Sequence, residues 1–262
     1  MNNFQTRGFS TVSLAGPKGV VQMNTILKVT WNLIFNISGL DISFGARYYD
    51  WSFYLIELRA NYPAVKELLA EKNLTPKEIT PGETRLQIVG CEMRKVQIAG
   101  PYKEVSIQVP VEPLDGSPNG KFTHLFLPVN TEKSRWPGVD IWGFPKFIAN
   151  IDIKTDNNRI ICRLAVEDQL ILEFKINNIA GSRNHYKWDY YGIRKQQIVK
   201  TTMDPEGFIS DEESSGDESL VLGEHAVADT LREILFSNEV VRTMIGHNVS
   251  SILKKPVRIK FK

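Results

Sequence analysis

Cysteine is nearly absent from this chain of 262 residues: only Cys91 and Cys162 occur, far apart and each within a strand-like run. That excludes a disulfide framework and gives no metal-ligand spacing, so both read as buried free thiols. Histidine is scarce too. His124, His185, His225 and His247 form no H-E-x-x-H pattern, so no metal site is expected. Charge of one sign is lacking, with a formal net charge of +2. The broad basic footprint of a nucleic-acid-binding protein is therefore missing. No apolar run approaches the ~18 residues of a membrane span. Asn-x-Ser/Thr matches begin at Asn36, Asn73 and Asn248, but nothing else suggests secretion. Acidic residues are missing from the first 40 positions, which hold Arg7, Lys18 and Lys28. An acid-poor start rich in Ser and Thr has an organellar-leader reading. The few basic residues favour a plain N-terminal arm over 1–40 and a cytoplasmic protein.

What is present is ordinary globular material, 42% hydrophobic and 24% charged, enough for a sizeable core. Period-2 alternation, the signal of a half-buried strand, recurs along it. It runs through Val105, Ile107, Val109 and Val111, through Ile160, Cys162, Leu164 and Val166, and through Leu170, Leu172, Phe174 and Ile176. Glu167-Asp168-Gln169 joins the last two runs as a hairpin, and Thr155-Asp156-Asn157-Asn158 forms another turn. Tyr48 to Leu58 and Thr84 to Ile98 are further long strands. Helices are few. Pro63 to Lys72 opens with proline and carries Val65, Leu68 and Leu69 on one face. His225 to Phe236 aligns Val227, Leu231, Ile234 and Leu235. Asn238 is placed to cap a third helix carrying Val240, Val241, Met244 and Ile245. Asp204 to Ser219 holds seven acidic residues and no basic one, and reads as an acidic surface loop. The expected architecture is mainly β with α+β character. It is a single domain over 41–262, with a β-barrel-like core and a few peripheral helices.

The most informative stretch is Trp142-Gly143-Phe144-Pro145-Lys146-Phe147-Ile148-Ala149-Asn150-Ile151. A lysine among apolar neighbours either snorkels to water or is kept dry as a nucleophile. This string, with Gly138-Val139-Asp140 upstream, resembles the lysine segment of the acetoacetate decarboxylase family. Ala46-Arg47-Tyr48-Tyr49 is similar to that family's early arginine strand. Pro101-Tyr102-Lys103-Glu104, with Val105 to Val111, is similar to its glutamate segment, and Lys121-Phe122-Thr123-His124-Leu125 to the strand leading to the lysine. The likeness covers roughly 45 to 255.

The resemblance implies a cofactor-independent lyase in which Lys146 forms a Schiff base with a β-keto acid. It implies a small-molecule keto acid as partner, with no nucleic acid or membrane, and a homo-oligomer. It makes Lys146, Glu104 and Arg47 the catalytic set, with Arg47 orienting carboxylates and Glu104 placing substrate or moving protons. Phe144, Phe147, Gln87 and His124 would bind substrate. Many members carry Lys-Lys where this chain has Lys146-Phe147, so no adjacent ammonium is available. Bringing a lysine from its usual ~10.4 to ~7 corresponds to about 4.6 kcal/mol, which burial alone can supply, and Phe147 could help exclude water. The family often has glutamate at Gln87, and Arg-Glu at Val139-Asp140. An altered pocket keeps open a Schiff-base aldolase or dehydratase, or a non-catalytic small-molecule binding protein on the same fold.

Overall fold

The computed structural model describes residues 45–259. The arm expected over 1–40 and the match at Asn36 lie outside them. The strands, in chain order, are β1 (Ala46–Asn61), β2 (Glu83–Val96), β3 (Tyr102–Pro110), β4 (Gly120–Phe126), β5 (Asn150–Asp156), β6 (Arg159–Val166) and β7 (Gln169–Asn177). They continue with β8 (Ser182–His185), β9 (Trp188–Arg194), β10 (Gln197–Met203), β11 (Glu206–Glu213), β12 (Ser219–Leu222), β13 (Leu235–Leu253) and β14 (Val257–Arg258). Three helices accompany them: α1 (Tyr62–Leu69), α2 (Glu132–Asp140) and α3 (Ala226–Ile234). Among the described residues no helix is long and apolar enough to cross a membrane.

Ten strands form one sheet in the order β14-β10-β9-β4-β3-β2-β1-β13-β11-β8. A further pairing of β10 with β13, at Met203 and Leu253, closes seven of them into a ring. All ring pairings are antiparallel except β4 with β9. The expected barrel-like core is therefore present. A second sheet, β12-β7-β6-β5, covers part of its outside.

This arrangement makes two apolar layers. Outward residues of the ring, such as Ile56, Leu58, Leu86, Ile88 and Ile107, pack against Ile160, Leu164, Leu172 and Phe174 of the second sheet and against α1 and α3. Each fully buried side chain of this size contributes about 1.5–3 kcal/mol. Inward residues form the second layer, including Tyr48, Trp51, Phe53, Cys91, Met93, Tyr102 and Tyr190. Period-2 alternation assigns the faces: Gln87, Val89, Cys91 and Met93 on β2, and Tyr102, Glu104, Ser106 and Gln108 on β3, all line the interior. Strand β1 changes phase. Irregularities between Tyr48 and Trp51 shift its register against both neighbours. The inward set passes from Ala46 and Tyr48 to Trp51, Phe53 and Leu55, as an extra residue at a bulge requires.

Caps and turns fit local chemistry. Asn61 accepts from the Ala64 N–H at 2.9 Å at the start of α1, and the His225 ring accepts from the Val227 N–H at 3.1 Å at the start of α3. Asn157 and Asn158 take positive φ in the β5–β6 turn and Glu167 does so in the β6–β7 turn. Cys91 and Cys162 are free and buried, as expected.

Two expectations fail. The helix proposed after Asn238 is part of β13. Its apolar pattern also suits a strand with both faces covered: Ile245 and Val240 join the outer layer and Met244 the inner one, and packing overrides the helical spacing. The acidic segment Asp204 to Ser219 is not a loop. Strand β11 pairs with β13 and β8 within it. Its alternation buries Gly207 and Ile209, while Asp211 pairs with Arg242 and Glu206 with Arg183. Two of its acidic residues thereby gain cationic partners, and Asp204 accepts from the Ile252 N–H at 2.8 Å. Only 214–218 is a turn, organised by Glu218 accepting from the Ser214 hydroxyl at 2.6 Å.

Candidate active site

Lys146 and Glu104 meet inside the ring although 42 residues separate them. The connecting element is the extended stretch after β4. Val129 bridges Glu104 antiparallel on one side and Ile148 in parallel on the other. Backbone N–H groups of Val129 and Ala149 donate to Phe147 and Val129 carbonyls, each at 2.9 Å. The stretch at Val129 thus lies beside β3, and the lysine segment hangs on its far side.

Helix α2 delivers the chain to this position. Thr131 caps it, its hydroxyl accepting from the Ser134 N–H at 3.3 Å. Its weak amphipathicity and internal Pro137 gave no sign of a helix in the sequence. The turn that follows needs Gly143, which holds φ +68° with no room for a side chain: a Cβ there would stand 2.6 Å from the Ile193 backbone. Gly138, in the last turn of α2, faces the lysine stem. A Cβ on it would lie 2.5 Å from Lys146 Cδ and 2.6 Å from Cε. The absence of that one carbon makes the channel through which the lysine reaches the cavity.

At the end of that channel Lys146 Nζ donates to Glu104 Oε2 at 2.9 Å, with side-chain exposures of 6% and 14%. Both line an interior cavity of about 200 Å³. The Tyr102 ring centroid lies 5.3 Å from the amine, within range for its π face to favour a cation. The Tyr102 and Tyr48 hydroxyls are 3.4 Å apart. Burial, then the Glu104 charge, raises both phenols above their ordinary value, so both stay neutral. Cys91, opposite Glu104 on β2, is raised by the same two causes and stays a thiol.

His124 also lines the cavity, stacked on Tyr190 at 5.0 Å and edge-on to Phe144 at 4.8 Å. Burial, with help from the Lys146 and Lys72 charges, lowers its pKa to about 3, so it is a neutral imidazole. Among the described residues its buried Nδ1 has no hydrogen-bond partner. Gln87 sits in a polar row across the sheet: Ser106 donates to Gln108 at 2.7 Å, Gln108 to Gln87 at 2.9 Å, and Gln87 to Glu57 at 2.8 Å.

Of the residues expected from sequence, Lys146, Glu104, Phe144, Gln87 and His124 line this one cavity. Arg47 and Phe147 do not. Arg47 is exposed, and its flanking residues Ala46 and Tyr48 point inward, so alternation turns its guanidinium away. Phe147 likewise follows the inward Lys146 and packs against the outer layer. Among the described residues, the cationic side chain that lines the cavity besides Lys146 is Arg242 of β13, its Nε held by Asp211 at 2.6 Å. Sequence reasoning also passed over Tyr102, Tyr48 and Gly138 as site residues. Tyr102 was open to discovery, two positions from Glu104 on the same strand face; Gly138 stood in the family-like triplet Gly138-Val139-Asp140, but nothing in the sequence placed it against the lysine stem. Among the described residues no three His, Cys, Asp or Glu side chains converge as metal ligands.

A family model described as acetoacetate decarboxylase matches residues 39–183. No curated protein matches the chain. Solved structures do. An acetoacetate decarboxylase structure aligns with TM-score 0.61 at 15% identity, covering 83% of this chain and 91% of that one. The acetoacetate decarboxylase of Legionella pneumophila aligns with TM-score 0.60 at 16% identity, covering 81% and 87%. The enduracididine biosynthesis enzyme MppR, complexed with the condensation product of pyruvate and imidazole 4-carboxaldehyde, aligns with TM-score 0.56 at 13% identity, covering 80% and 89%.

Proposed function

The chain belongs to the acetoacetate decarboxylase family, and from that premise we propose that it is a Schiff-base lyase that decarboxylates a β-keto acid through Lys146. The observation that carries this reading is the buried Lys146–Glu104 pair facing an apolar cavity.

The steps follow from those two side chains. Glu104 lies in hydrogen-bond contact with the amine and is the group placed to take its proton. The neutral amine attacks the ketone carbon, and the carbinolamine loses water to give an iminium. The bond between the α-carbon and the carboxylate then breaks. Carbon dioxide leaves, and the bonding pair moves to the iminium nitrogen, giving an enamine. Glu104 returns its first proton to the departing carbinolamine hydroxyl and takes a second from solvent; protonation of the α-carbon by Glu104 then regenerates an iminium, and water releases the ketone and the free lysine. The Tyr102 face favours each cationic intermediate, and the neutral His124, Tyr48 and Cys91 put no competing charge beside it.

A Schiff-base aldolase or dehydratase on the same lysine is the alternative. A substrate of the pyruvate type keeps its carboxylate through the reaction, and that charge needs a partner when buried. Among the described residues the other basic side chain lining the cavity is Arg242, already paired with Asp211. Decarboxylation discards the charge, which supports the first reading.

The deciding experiment is Lys146→Arg. Arginine retains the charge and much of the length but stays protonated. The expected result is loss of both turnover and borohydride-trapped adduct, with the melting temperature near that of wild type. A variant that still decarboxylates or still traps a substrate refutes the lysine's role. Binding of keto acids without turnover or adduct by wild type would support a binding protein instead.

A further inference from the structure

We infer that the carbonyl compound accepted at Lys146 carries an aromatic ring, or an apolar group of similar breadth, on its carbonyl carbon. The inference rests on the Schiff-base reading and names the substrate class of that same site.

The reacting end is fixed by Lys146 and Glu104. Strand register fixes what lies beside it. Glu104 is opposite Cys91, Cys91 is opposite Phe53, and Phe53 is opposite Gly246. The side chain between the glutamate and the phenylalanine is therefore small. Two strand spacings, roughly 10 Å, separate Glu104 from Phe53, and a flat group on the carbonyl carbon can lie over Cys91 between them.

The walls of that space are aromatic. Phe53 contacts Trp51 at a centroid separation of 5.4 Å, tilted by 38°, and Trp188 edge-on at 5.8 Å. Met93, Met203 and Met244 also line the cavity, and thioether side chains pack well against ring edges. A methyl group would leave these walls largely uncovered. The cavity's ~200 Å³ exceeds the ~150 Å³ that holds a benzene ring in an apolar protein interior. The remaining volume suits the carbonyl carbon and a short arm.

Charge points the same way. The charged side chains lining the cavity, among the described residues, are Lys146, Glu104 and Arg242. The first two pair with each other and Arg242 pairs with Asp211. A substituent with its own charge would be buried unpaired, which is unfavourable; an apolar ring needs no such partner.

The test compares acetoacetate with 3-oxo-3-phenylpropanoate, which differ only at the carbonyl substituent. Turnover is measured together with borohydride-trapped adduct on the full chain. The phenyl compound is expected to have the higher kcat/KM by roughly 10²-fold, since even one apolar carbon is worth about 10-fold or more in a fitted pocket. Cys91→Leu, which fills the space over that residue, should cut the phenyl-to-methyl ratio at least tenfold. Val89→Ile, narrowing the neighbouring row of the same wall, serves if the first variant does not fold. A ratio at or below one in wild type overturns the inference, as does a filling variant that lowers both substrates equally; adduct on Lys146 in either case keeps the Schiff-base reading. Absence of adduct with every carbonyl compound tried overturns both.

Discussion

Substituting Gly138 by alanine should separate the chemistry of this protein from its stability. The added methyl would sit 2.5 Å from Lys146 Cδ and 2.6 Å from Cε, where ordinary contact begins near 3.4 Å. The lysine stem must withdraw by about 1 Å. A flexible side chain can do so without disturbing the backbone, and Gly138 does not hold a positive φ. A misplacement of ~1 Å at a reacting group costs about 10²-fold in rate, equivalent to about 2.7 kcal/mol in the barrier. The helix, by contrast, gains up to ~1 kcal/mol when glycine becomes alanine, offset in part by the disturbed Lys146–Glu104 contact. The expected result is a melting temperature within a few degrees of wild type and adduct formation slowed about a hundredfold. Gly116→Ala is the control, because a Cβ there meets nothing within 4 Å. Stopped-flow measurement of adduct formation, trapped by borohydride at timed intervals, gives the rate directly. A Gly138→Ala protein with wild-type rate would show that the lysine does not act from the channel beside α2.

Glu104→Gln keeps the shape and a hydrogen-bond acceptor for Lys146 but removes the proton carrier; kcat should fall by roughly 10²–10⁴, and unchanged turnover would assign the proton to another group. His124 is held neutral, with its pKa lowered to about 3 from the ordinary 6.5. The unfolded chain takes up that proton more readily, so the contribution to stability is complete above pH 6.5 and is lost as pH falls toward 3. Unfolding free energies from urea melts of wild type and His124→Phe should therefore differ in pH slope by up to about 1.4 kcal/mol per pH unit over that window; parallel curves would show that His124 is solvated. Proteolysis should spare 206–213 and cut at 214–218, and deleting 206–213 should collapse the fold by stripping β13 of its β11 partner; tolerance of that deletion would contradict the strand pairing.

Glu104 enters through the family resemblance, whereas Lys146 is legible in the sequence because its signal, a lysine inside an apolar run, is local. The strands themselves were legible for the same reason, since period 2 is written residue by residue at β3, β6 and β7. Which face is inside a closed ring is a different matter. When both faces are apolar, alternation cannot choose between them, and in β1 the irregularity between Tyr48 and Trp51 changes the phase partway. Arg47 enters through the family resemblance, which does not specify its face here, and Phe147 enters on the condition that it face the site; alternation turns both away from the cavity. In an extended segment adjacent residues face opposite ways, so Phe147 supports the outer layer and leaves the inner one to Phe144.

The charged groups that the family resemblance placed in this pocket are largely replaced here by uncharged ones, and the replacements are coherent. Gln87 stands in a hydrogen-bonded row that runs from Ser106 through Gln108 to the Glu57 carboxylate, which satisfies the buried polar groups and keeps that carboxylate out of the cavity lining. Arg47 faces solvent and Arg242 is held by Asp211. The lysine is thereby left with one carboxylate and a tyrosine ring as its nearest described partners. Such a site spends its electrostatics on proton transfer and on the cation that forms during the reaction. It leaves recognition of the rest of the substrate to apolar contact. Selectivity should then respond to the volume of residues such as Cys91 far more than to salt. Ionic strength up to 0.5 M should change the phenyl-to-methyl ratio less than twofold, because paired buried charges are weakly screened. A steep loss of selectivity with salt would mean that an ion pair with the substrate, absent from this arrangement, governs binding.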